Sequence, residues 1–183
     1  MRKGIRIGIL VCLAFAVAIG AIWGNAIEER HQGQGEGLDS TQINEGLIEA
    51  TVVRVVDGDT IIVDTKEDTG VRVRLIGIDA PEIGEPGGDE ATEYVEALIP
   101  AGDTVFLEIG NPEQDRFGRT RAYVWGAWQD TGMASSSMLN ARLLQAGQAR
   151  VMTIEAGTWD DLFKELEAEA KDAGRGIWGQ DYE

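Results

Sequence analysis

Between Leu47 and Trp125 the chain falls into five short β-rich segments separated by turn residues, and this pattern limits the fold more than any other. Leu47 to Val56 (LIEATVVRVV) ends at the turn pair Asp57-Gly58, and Thr60 to Asp64 (TIIVD) follows at hairpin distance. After the polar turn from Lys66 to Gly70 comes Val71 to Ile78 (VRVRLIGI), where Val71, Val73 and Leu75 alternate with Arg72 and Arg74. Thr104 to Ile109 (TVFLEI) and Arg121 to Trp125 (RAYVW) complete the set, the last continuing through a hairpin to Trp128. Helical spacing interleaves with the later strands. Asp89 to Ile99 puts Ala91, Tyr94, Val95 and Leu98 on one stripe and stops at Pro100. Ser135 to Ala146 repeats the pattern and ends at Gly147. Thr158 to Ala173 begins on an N-cap residue, keeps Leu162, Leu166 and Ala170 together, and ends at Gly174. Gly176-Ile177-Trp178 is expected to fold the tail back and pack Trp178 on the domain. The expectation is an α+β fold, a five-stranded OB-fold barrel with three α-helices.

The 183 residues suffice for one such domain and not for two of ordinary size. Residues 1–6 carry three positive charges and lead into an uncharged apolar run, Ile7 to Gly24, so a hydrophobic helix precedes the barrel. A basic start, an apolar run and then small residues describe a signal peptide over residues 1–26. Residues 7–24 are also about as long as the shortest membrane-spanning helices, so an uncleaved membrane anchor is the other reading. Either way the folded part is expected outside the cytoplasmic membrane, secreted or anchored. Residues 27–45 are polar, Gly-rich and without apolar period, a flexible linker, leaving 46–179 as the folded domain. The sole cysteine, Cys12, lies in the apolar run and the sole histidine, His31, in the linker. The folded part therefore has no thiolate or imidazole, and acid–base work falls to carboxylates, Lys, Tyr or Arg.

The net charge is −16, which at face value argues against a nucleic-acid partner. Arg outnumbers Lys 12 to 4, however, and a local arginine cluster can bind phosphate inside an acidic protein. The acidic excess suits either salty surroundings or simple solubility.

Chemistry concentrates between Asp57 and Arg119. Asp57-Gly58-Asp59-Thr60 alone reads as a turn. Asp79-Ala80-Pro81-Glu82, closing the Arg-rich strand, adds a second carboxylate that can converge with Asp59 on a hard cation such as calcium. Two aspartates leave coordination positions open for water and a phosphate oxygen, as a catalytic site requires. Arg74, and Arg119 in the run Asp115-Arg116-Phe117-Gly118-Arg119, offer guanidinium forks that match phosphate oxygens, and Glu82 is the available base. Strict strand alternation would put Arg74 and Asp79 on opposite faces. For both to meet one phosphate the strand must bulge or end near Gly77.

These residues carry a family resemblance. VVDGDTIIV, VRLIGIDAPE, the helix start Gly88-Asp89-Glu90-Ala91, DRFGR and the final Gly-Ile-Trp resemble the staphylococcal nuclease (thermonuclease) family in content and order, over roughly Gly46 to Gly179. The resemblance implies an OB-fold with three helices and a calcium-dependent nuclease, an endonuclease that cleaves single-stranded DNA and/or RNA to 3′-phosphate products; a monomer is expected. It implies Asp59, Asp79 and the Ala80 carbonyl as Ca2+ ligands, Glu82 as the residue that activates or positions water, and Arg74 and Arg119 as the phosphate-binding pair. Three departures stand out. IGEPG, between Glu82 and Gly88, is shorter than the loop of the best-known member and lacks its lysines. Ala80 replaces that member's threonine. Met152-Thr153-Ile154-Glu155 stands where that member has base-stacking tyrosines.

Overall fold

The computed structural model describes residues 46–126, 137–152 and 157–179. The expected signal peptide or anchor, the linker, the hairpin continuation to Trp128 and the start of the helix at Ser135 lie outside them.

Strands β1 (Ile48–Asp57) and β2 (Thr60–Thr65) form an antiparallel hairpin through Asp57-Gly58-Asp59. Its register slips at Val53, since Val52 faces Val63 while Arg54 already faces Ile62. The extra residue turns both Val53 and Arg54 outward and returns Val55 to the interior, so β1 keeps a buried face despite broken alternation. β3 (Val71–Leu75) pairs antiparallel with β2 and parallel with β6 (Thr120–Gly126); β5 (Thr104–Gln114) pairs with β6 and with β1. The ring β1-β2-β3-β6-β5 is thus closed, which removes sheet edges. Ala50, Val52, Ile61, Val63, Val73, Leu75, Leu107 and Val124 fill it.

The expected Val71–Ile78 strand is two pieces. β3 stops at Leu75, Gly77 takes φ 78°, and Ile78–Asp79 (β4) pairs with β7 (Arg150–Val151) in a separate two-stranded ladder. Gly77 tolerates that left-handed backbone, and a Cβ there would also meet the Phe163 ring at 2.8 Å. Helix α1 (Gly88–Leu98) buries Ala91 and Val95, α2 (Leu139–Gln145) buries Leu139, Leu143 and Leu144, and α3 (Asp160–Asp172) buries Phe163, Leu166 and Ala170. α3 departs from the expected N-cap at Thr158. Its cap position is Trp159, with no side-chain cap bond, and acidic Asp160 and Asp161 in the first turn complement the helix dipole instead. Trp178, in the 3-10 turn Gly176–Trp178, is largely buried as expected, with Arg150 and Lys171 over its ring.

Candidate active site

The β1–β2 turn is set by Asp57, whose Oδ1 accepts the Asp59 N–H at 3.1 Å, so Asp57 is a turn residue. Gly58 lets that turn lie against the rest of the site. A Cβ there would stand 2.6 Å from the Ala80 Cβ and 2.8 Å from the Ala91 Cβ. The turn, the Asp79-Ala80 segment and α1 are consequently in close contact.

Asp59 is buried at this junction. Its Oδ1 accepts the Thr60 hydroxyl, and Oδ2 accepts the Ala80 N–H at 3.1 Å and faces Arg74 Nη1 at 2.8 Å. Burial pushes the Asp59 carboxyl up to about 6, against the pull of Arg74 and the Ala80 N–H. Arg74 is buried too. Nη1 also donates to the carbonyls of Leu75 and Ile78, and Nη2 reaches Asp79 Oδ1 at 3.0 Å. One guanidinium therefore links both carboxylates. The bend at Ile76-Gly77 makes this geometry available, because it swings Asp79 back toward the Arg74 side chain.

The side chain of Asp79 remains 60% exposed. Asp59 and Asp79 form an oxygen-only donor pair, and among the described residues no third carboxylate, histidine or cysteine joins them as a metal cluster. This set fits a hard cation. The burial cost of ionised Asp59 exceeds what Arg74 offsets, which favours added positive charge, and exposed Asp79 leaves room for water or a ligand.

Arg119 comes from the loop between β5 and β6. Asp115 Oδ1 accepts the N–H of Phe117 and Arg119, and Oδ2 accepts Arg119 Nε at 2.7 Å. Arg74 and Arg119 line one cleft of about 830 Å3, together with Ile76, Arg116, Phe117 and Tyr123. Asp59, Asp79 and Glu82 lie outside its lining. Glu82 is exposed. Its backbone is pinned at the start of α1, where a Cβ on Gly88 would stand 1.9 Å from the Glu82 carbonyl oxygen. Its carboxylate touches none of Asp59, Arg74, Asp79 and Arg119. The short IGEPG segment closes as two turns, with the Glu85 N–H bonded to the Glu82 carbonyl and the Gly88 N–H to that of Glu85.

Barrel, helices and motif order meet in a known family, whose model, described as staphylococcal nuclease homologue, matches residues 72–180. The chain belongs to the staphylococcal nuclease family. It is 33% identical over 134 residues to the thermonuclease of Staphylococcus hyicus, covering 69% of this chain and 73% of that one. It is 34% identical over 128 residues to the micrococcal nuclease of Shigella flexneri (69% and 71%), and 36% identical over 132 residues to an uncharacterized endonuclease of Escherichia coli (72% and 77%). The protein is thus a hydrolase of the nuclease class.

Two residues of this nuclease escaped the sequence reading. Asp115 was visible only as part of DRFGR, although an acidic residue three before a glycine is a turn signal. Asn140 is fully buried, accepts the Val124 N–H and donates to the Ile76 carbonyl at 2.8 Å, tying α2 to the barrel and to the bend after Arg74. Its signal was a polar residue on the apolar stripe of a helix.

Proposed function

We propose that this nuclease is a calcium-dependent phosphodiesterase acting on single-stranded DNA and/or RNA and leaving 3′-phosphate products. The observation that carries this reading is the Arg74 guanidinium held between Asp59 and Asp79 while lining the same cleft as Arg119. Asp59, Asp79 and the Ala80 carbonyl would hold the ion. When bound, calcium would supply positive charge beside the scissile phosphate and bind water.

The side chains divide the remaining work. Arg74 and Arg119 grip the non-bridging oxygens and stabilise the charge that builds on them as water attacks phosphorus. Glu82, exposed and without a partner among these residues, takes the proton from that water. The P–O5′ bond breaks, the O5′ oxygen leaves as a hydroxyl with a proton drawn from solvent water, and the phosphate stays on the 3′ side. Phe117, 68% exposed and flanked by Arg116 at 4.6 Å and Arg119 at 5.6 Å, offers a stacking face for a base. The protein acts as a monomer outside the cytoplasmic membrane, delivered by the apolar segment at residues 7–24 as a cleaved signal or a retained anchor.

Turnover of single-stranded DNA by Glu82→Gln and Arg119→Ala tests these roles. General bases contribute typically 10²–10⁴-fold, and loss of one charge-stabilising donor about 10²–10³-fold, so both variants should fall by at least about a hundredfold. Products should carry 5′-hydroxyl ends that accept label without prior phosphatase treatment. Undiminished cleavage by either variant, or 5′-phosphate ends, would overturn the assignment.

A further inference from the structure

In a chain of net charge −16, a second place where cations gather beside the site stands out. Arg150 sits on β7 directly across from Asp79 on β4. Residues so paired have their Cβ atoms about 4.5–5.5 Å apart, which puts Arg150 at the rim of the carboxylate pair. Its guanidinium lies 5.2 Å from the Trp178 ring centroid, and Lys171 Nζ lies 4.4 Å from the same centroid. The two charges stand within about 10 Å of each other, one Debye length at 0.1 M salt.

Glu167 neutralises only one of them. Its Oε2 binds Lys171 Nζ at 2.7 Å while Oε1 accepts the Val151 N–H. Arg150 makes no ion pair or hydrogen bond with another described residue. The platform beneath it is firmly built. Gly147 and Gly176 both have positive φ, and a Cβ on either would stand 2.2 Å from a backbone oxygen of the other's segment. The Ile177 N–H bonds to the Gly147 carbonyl, and Met152 N–H to that of Gly77, which fixes β7 beside β4.

We propose that Arg150, propped on Trp178 and assisted by Lys171, binds a backbone phosphate of the substrate strand neighbouring the scissile one. This rests on the nuclease reading and deepens it. The substrate is a strand of several phosphates tracked from the Arg74–Arg119 cleft past Asp79 onto β7, and a dinucleotide is too short to reach this subsite. Charge alone recognises the phosphate, so the contact favours strand length and not base sequence.

The test compares a dinucleotide with a twelve-nucleotide single strand, using the full chain with calcium. In Arg150→Gln the ratio of kcat/KM for the twelve-mer to that for the dinucleotide should fall about tenfold, mostly through KM. The slope of log kcat/KM for the twelve-mer against log salt should become shallower by about 0.7, the value for one lost contact on a single strand. Arg150→Lys should retain most of the length preference, and Lys171→Gln should reduce it less than Arg150→Gln. Equal loss on both substrates, or an unchanged length ratio and salt slope, would overturn the proposal. If the unaltered protein cleaves neither substrate, the nuclease mechanism itself fails, a different result.

Discussion

The Asp115 carboxylate accepts three N–H groups from the loop it closes, two of them from Arg119. Desolvation works against its ionisation, but the N–H donors and charge of Arg119 outweigh it and hold the carboxyl below its ordinary 3.8. A depressed carboxylate contributes stability that is complete above its unfolded pKa and is lost as pH falls through the folded value. Asp115→Asn should therefore flatten the acid-induced fall in stability below about pH 4, followed by denaturant titration at several pH values. Turnover should fall between tenfold and a hundredfold, because a displacement of about 1 Å in a phosphate-binding group can cost that much. Gly58→Ala tests the other side of the site. Its methyl would press on Ala80 and Ala91, and overpacking of this kind costs about 1–3 kcal/mol, measurable as a lower urea midpoint.

At the scale of elements, the bend between β3 and β4 decides whether Arg74 and Asp79 can cooperate. The alternation of Val71, Val73 and Leu75 made β3 readable, and the same rule showed that a straight strand could not bring Arg74 and Asp79 together. Gly77 was legible as the place where the strand had to fail. The partner that holds the bend was not. Asn140 comes from a helix 64 residues later and reaches the Ile76 carbonyl, a long-range hydrogen bond that no local pattern encodes. Asn140→Ala would leave the Val124 N–H and the Ile76 carbonyl without their partner. Each buried unsatisfied group costs about 1–3 kcal/mol, so thermal and urea unfolding should show a loss of at least about 2 kcal/mol. The bulge at Val53 was equally hidden, because Val-Val-Arg-Val-Val reads as plain strand until its partner register is known. Thr158 misled as a cap because hydroxyl residues mark helix starts only on average; here Asp160 and Asp161 serve the helix terminus instead.

For the whole molecule, five strands and three helices were legible because each alternation or stripe sits between strong breakers such as Asp57-Gly58 and Pro100. Ring closure, with β1 against β5 and β3 parallel to β6, was legible only as a fold class. Of the residues expected at the site, Asp59, Arg74 and Asp79 meet in space and Arg119 shares a cleft with Arg74, whereas Glu82 lies outside that cleft. Net charge is a poor guide to such a protein, since a few arginines held in fixed positions can set the local field within an acidic surface. If phosphate binding rests on Arg74 and Arg119 as proposed, kcat/KM on single-stranded DNA should fall steadily as salt rises. Stimulation by salt would instead favour an acidic surface adapted to saline surroundings. If Asp59 and Asp79 hold calcium as proposed, phosphodiester cleavage depends on that ion. The most direct measurement is the cleavage rate of single-stranded DNA with calcium, then with excess EDTA, then with calcium restored. Cleavage that stops in EDTA and returns with calcium is the expected result; an equal rate in EDTA would contradict the account.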